Sequence, residues 1–127
     1  MTRSAAPLRQ LEAQAPGMAF VQLVRLLMRV RADRAPLGGW ADPAQETVRL
    51  AVPASLTFPP SEVAALRVPD DPNAPVEVDV RFFGLTGPQG VLPHVYTVHA
   101  LTRSRVRDTA FRDFLDLFHH RALSLFY

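Results

Sequence analysis

The chain has 127 residues, is 48% hydrophobic and 20% charged, and contains 12 prolines and no cysteine. That suits one domain with a genuine core and excludes a disordered tail, a disulfide framework, a thiolate metal site and a cysteine nucleophile. All 14 basic residues are arginine, which removes the P-loop lysine, the kinase strand lysine and every Schiff-base mechanism.

The net charge of +2 is unevenly spread. Residues 1–34 hold six arginines against Glu12 and Asp33, residues 35–80 hold two against seven acids, and residues 81–127 hold six against three. An acidic middle between basic ends favours charged protein surfaces as partners over uniform nucleic-acid binding. The first apolar run, Met18 to Val30, is broken by Gln22, Arg25 and Arg29. It is too interrupted to cross a bilayer and does not have the form of a signal peptide, so a soluble cytoplasmic protein without membrane insertion is expected.

Residues 1–17, rich in Ala, Pro, Arg and Gln, read as a mobile or loosely docked arm. From Met18 to Asp33 the pattern is helical: Phe20, Leu23, Val24, Leu27, Met28 and Val30 share a broad face, with Gln22, Arg25, Arg29 and Asp33 opposite. The run Ala35-Pro36-Leu37-Gly38-Gly39 stops it. Val48, Leu50 and Val52 then alternate with polar or small residues, a period of two that Leu56 and Phe58 continue. A short helical turn is expected at Glu62 to Leu66, capped by Ser61. The clearest strand puts Val76, Val78, Val80 and Phe82 on one face and Glu77, Asp79 and Arg81 on the other, which predicts a half-exposed antiparallel sheet.

Two helices close the chain. Pro93 stands where a first helical residue would be, and that helix runs to about Thr102. Arg103 to Arg107 form a basic connector, and Asp108 or Thr109 caps a last helix reaching Tyr127. On this helix Phe111, Phe114, Leu115, Phe118, Ala122, Leu125 and Phe126 make an apolar face opposite Asp113, Asp116, His120 and Ser124. The chain stops without a glycine cap or polar tail, as if cut within a helix. The expected class is α+β: an N-terminal amphipathic helix, a small antiparallel sheet and two C-terminal helices.

No constellation points to catalysis, a cofactor or a metal. Gly84, Gly87 and Gly90 follow a strand, but their spacing is not a dinucleotide fingerprint, Pro88 removes a backbone donor and no lysine follows. Gly84, Gly87, Pro88, Gly90 and Pro93 therefore read as a structural turn. Adjacent His119 and His120 project about 100° apart on a helix and cannot grip one ion together. Asp116 and His120 share a face at i,i+4, half of a metal site, and read as an exposed carboxylate–imidazole pair. The serines stand in no nucleophile-elbow context. Three arginines at positions 103, 105 and 107 without interleaved aromatics read as a solvated connector rather than a nucleic-acid site.

Two blocks become informative together. Phe82-Phe83-Gly84-Leu85-Thr86-Gly87-Pro88-Gln89-Gly90-Val91-Leu92-Pro93, followed by Tyr96, resembles the signature of the TssG family of type VI secretion baseplate subunits, also called ImpH or VasB. Asp108 through Phe114-Leu115-Asp116-Leu117-Phe118-His119-His120-Arg121 to Tyr127 looks like the same family's helix, and Phe20 to Leu27 and Leu56-Thr57-Phe58-Pro59 match its opening pattern. The resemblance covers about residues 18–127. It implies a non-catalytic scaffold that assembles with TssF, TssE and TssK in the cytoplasmic baseplate wedge, docks at the inner-membrane complex and nucleates the contractile sheath and tube. Family members are longer, so the chain is expected to be their N-terminal portion. Phe114, Leu117, Phe118, Leu123 and Phe126 of the last helix are the candidate partner contacts, with no nucleic acid and no cofactor. The alternatives are a small arginine-rich nucleic-acid-associated module and a hydrolase with an unrecognised His/Asp site.

Overall fold

The alternation of valine with charge in the middle of the chain is the spine of the structure. The computed structural model describes residues 2–53, 55–56, 61–71, 73–87 and 90–127. Its elements are α1 (Thr2–Gln14), α2 (Phe20–Val30), β1 (Val48–Ala51), β2 (Val63–Arg67), β3 (Val76–Val80), α3 (His94–Arg105) and α4 (Ala110–Phe126), with a 3-10 turn at Pro43–Gln45. The class is α+β, as expected. The continuation of the β1 pattern into Phe58 lies outside the described residues.

The strands order β1-β3-β2. β3 is central, and Val76, Val78 and Val80 are wholly buried on one face with Val48 and Leu50 of β1 and Val63 and Leu66 of β2. Helix α2 covers this face with Phe20, Leu23, Val24 and Leu27, the apolar stripe its period implies. The other sheet face is charged: Arg67 of β2 grips Asp79 of β3 through two bonds of 2.7 and 3.0 Å and reaches Glu77 at 3.1 Å. Those bonds to carboxylates hold the Arg67 guanidinium above its ordinary pKa.

Two expectations are corrected. The sheet is mixed rather than antiparallel: β2 runs antiparallel to β3, but β1 runs parallel to it, with Val48 opposite Val76 and Leu50 opposite Val78. Polar alternation reports one exposed face and is blind to the direction of the neighbour. The segment expected as a helical turn at 62–66 is strand β2, where Ser61 Oγ donates to the Val63 carbonyl instead of capping a helix. Ala-Ala-Leu favours helix locally, but pairing with β3 satisfies the backbone and buries Val63 and Leu66, so tertiary context overrides propensity. The stretch read as an arm, residues 1–17, includes helix α1, whose Leu8 and Leu11, at i and i+3, pack on the core with Ala15 just past its end.

Arg34 ties the loops under the sheet. Its Nε donates to the Glu46 carbonyl at 3.0 Å, Nη1 to that of Asn73 at 2.6 Å, and Nη2 to that of Ala44. A planar guanidinium reaches three carbonyls at once, which an ammonium could not do with the same geometry.

Candidate functional site

The last helix docks the other way round from its expected roll. In a strand at the sheet edge, every second residue points its amide and carbonyl outward without a strand partner. In β1 the pairing of Val76 N–H with the Thr47 carbonyl turns the odd positions toward β3 and leaves the Leu50 and Val52 amides on the free side. Helix α4 lies there. Leu50 N–H donates to His120 Nδ1 at 3.0 Å, and Val52 N–H donates to Asp116 Oδ1 at 3.2 Å. Four helical residues rise about 6 Å and two strand residues about 6.6 Å, so an i,i+4 pair can serve two alternate strand amides. The pair read as exposed is instead an edge cap.

The hydrogen bonds assign both imidazole tautomers. His120 accepts at Nδ1, so its proton is on Nε2, which faces Glu46 Oε2 at 2.6 Å. His119 accepts the Leu85 amide at Nε2 (2.9 Å), so its proton is on Nδ1, 2.9 Å from Asp116 Oδ1. Glu46 is 2% exposed, and its burial beside His120 had no local signal in the sequence. Among the described residues, no three His, Asp or Glu side chains converge as a metal site would require.

The glycine turn is joined to the same seam. Gly84 and Gly87 lie at φ +154° and +99°, and a Cβ on Gly90 would stand 2.6 Å from the Leu85 carbonyl oxygen. Besides the Leu85 bond to His119, Gly87 N–H donates to Thr97 Oγ1 at 2.9 Å and Gly90 N–H to the Gly87 carbonyl at 3.1 Å. These donors point into the fold, where a phosphate cradle would turn them outward. Pro93 is the residue before α3 rather than its first turn, and Pro88 lies outside the described residues.

Asp116, His120 and Ser124 of the polar stripe are thus docked, with Asp113 outside, and much of the apolar stripe, Leu115 excepted, is outside as well. Phe114, Leu117, Phe118 and Leu125 are exposed, Leu117 at 69%. Leu123 is 0% exposed within the core, so of the five candidate partner contacts it alone faces wholly inward. Phe126 is shared: its ring lies 5.7 Å from Phe82 and 6.5 Å from Phe20, yet it remains exposed. A groove of about 860 Å³ runs between α4 and the charged sheet face, with Arg49, Asp79, Leu117 and Arg121 among its lining. Beside Arg121 of this lining stands Trp40, 99% exposed, which had no signal in the sequence beyond following a Gly-Gly turn.

The arginine connector is partly absorbed. Arg103 and Arg105 finish α3, and Arg103 pairs with Asp108, whose Oδ1 accepts the Ala110 amide at 3.2 Å and so caps α4 from one residue ahead of Thr109. The Arg103 bond, the Ala110 amide and the Arg103 charge hold the Asp108 carboxyl below its ordinary pKa. Among the described residues, no helix is long and apolar enough to cross a membrane.

No curated protein and no solved structure matches the chain. One family model does, the one described as type VI secretion, TssG, over residues 14–127. It takes in the Gly84–Gly90 turn, the capped β1 edge and the whole of α4, and the chain therefore belongs to the TssG family of type VI secretion baseplate components.

Proposed function

We propose that the chain is a non-catalytic structural subunit of the baseplate wedge. It assembles in the cytoplasm with TssF-like, TssE-like and TssK-like proteins, docks at the inner-membrane complex and helps to nucleate the contractile sheath and tube. The observation that carries this reading is the inverted docking of α4: its polar residues close a strand edge, while Phe114, Leu117, Phe118 and Leu125 face outward. An apolar stripe of that kind marks an interaction surface or an aggregation liability. The polar groups that could do acid–base chemistry, Glu46, Asp116, His119 and His120, are bonded to one another and to backbone amides, which supports a scaffold over an enzyme. The turn at Gly84 to Gly90 acts as a conformational brace for α3 and α4.

The test is co-expression with a TssF-like protein, alone and with TssE-like and TssK-like proteins, followed by size exclusion. A stoichiometric complex that depends on the outer residues of α4 is expected. A chain that stays monomeric beside all three overturns the reading.

A further inference from the structure

We propose that the outer face of α4, together with Trp40, receives an acidic amphipathic helix of a partner protein, with Trp40 and Arg121 as the recognition pair. This rests on the scaffold reading above and adds the chemistry of the partner.

Trp40 is the chain's single tryptophan and is 99% exposed, beside an arginine bonded to the residue before it. Arg121 Nη1 donates to the Gly39 carbonyl at 3.2 Å, and its guanidinium carbon stands 5.9 Å from the Trp40 ring centroid. A guanidinium over an indole face is attracted by the ring quadrupole, weakly at an exposed site, and leaves the ring open to a partner. Tryptophan and arginine are the residue types that dominate binding hot spots. Arg121 follows Phe118 by three and Leu117 by four, so the pair continues the apolar stripe directly. Phe114 and Leu125 extend that stripe to twelve residues, about 16 Å of helix between its ends, which is the footprint of a helix laid along it rather than of a small molecule.

Charge chooses the partner. Arg105 ends α3, Arg107 stands in the turn ahead of α4, and Arg121 sits within the stripe; among the described residues none of the three has a carboxylate partner. The exposed carboxylate of α4, Asp113, already accepts from Thr109 Oγ1 at 3.0 Å and lies 3.6 Å from Arg112. Uncompensated cations around an apolar stripe fit a stripe bordered by Glu or Asp.

Trp40 is its own reporter. The full chain is titrated with two synthetic helical peptides sharing one Leu/Phe stripe, one flanked by Glu and the other by Lys, and tryptophan emission is followed. The Glu-flanked peptide should shift the emission to the blue. Its binding should weaken about tenfold when salt rises from about 0.15 M to about 1 M, as the screening length falls from about 8 to about 3 Å. Arg105→Glu with Arg107→Glu, distant from the Trp40 loop, should lower the Glu-peptide affinity, and Arg121→Glu should turn the preference toward the Lys peptide. Equal binding of both peptides, no emission change with either, or a blue shift that tracks chain concentration without peptide each overturns the inference, the last by making a second copy the occupant. If Arg121→Glu still co-purifies fully with a TssF-like protein, the inference fails and the scaffold reading stands; if the unaltered chain captures no baseplate protein yet shows the peptide preference, the scaffold reading is the one that fails.

Discussion

The Leu50 amide points at His120 Nδ1 across 3.0 Å, so an imidazole on a helix takes the place of a strand carbonyl at the edge of the sheet. The neighbouring amide of Val52 is met by Asp116 in the same way. Together they close an edge that would otherwise invite pairing with another chain.

The two histidines accept at different ring nitrogens, and their best replacements should differ. His120→Ala leaves a strand amide without its acceptor and should lower stability by about 1–3 kcal/mol. Asn places its oxygen near the Nδ1 position, and Gln near Nε2. His120→Asn and His119→Gln should therefore recover part of the loss, and the swapped pair, His120→Gln and His119→Asn, less. Urea denaturation ranks the five variants, and faster hydrogen exchange at Leu50 in His120→Ala locates the effect.

Gly38 is pinned by α4. It lies at φ +85°, and a Cβ there would stand 2.8 Å from the Ser124 carbonyl oxygen. Gly17, at φ +101°, has nothing within 4 Å of its added Cβ. Gly17→Ala should lower stability by about 1 kcal/mol through backbone strain alone, and Gly38→Ala by about 2–3 kcal/mol, since α4 must also shift. Equal losses in thermal unfolding would show that α4 yields freely at this point.

Leu117 and Leu123 separate binding from folding. Leu117→Glu, on the exposed stripe, should change stability by less than about 0.5 kcal/mol yet reduce co-purification with a TssF-like protein. Leu123→Glu buries a charge in the core and should lower stability by about 3 kcal/mol or more. Asp113→Asn should alter neither. Soluble yield and melting temperature, read beside co-purification, distinguish the three.

Acid should loosen the α3–α4 turn through Asp108. Its carboxyl is held below the ordinary value, chiefly by the bond from Arg103 and then by the Ala110 amide. A folded pKa below the unfolded one, about 3.9, means that the stabilisation is fully present above that pH and is lost as pH falls through the folded value. In Asp108→Asn the drop in urea midpoint below about pH 4 should therefore be shallower than in the unaltered chain. High salt should narrow the difference, since the pair is exposed to solvent.

What the sequence determined by itself was local and periodic. The face of α2, the buried valines of β1 and β3 and the span of α4 follow from spacings of 3.6 and two, because a backbone of fixed geometry projects those side chains together whatever lies around them, whereas α3 runs on through Arg105, past its expected end at Thr102. The glycine turn and the α4 block also carried the family, since both are short contiguous signatures. Tertiary structure decided the rest. The direction of β1, the strand state of Val63–Arg67, the burial of Glu46 and the roll of α4 depend on partners distant in the chain. Periodicity shows that a helix has two faces; the unpaired amides of Leu50 and Val52 decide which one turns inward, because leaving buried donors without acceptors costs more than leaving Phe114 and Phe118 half in water.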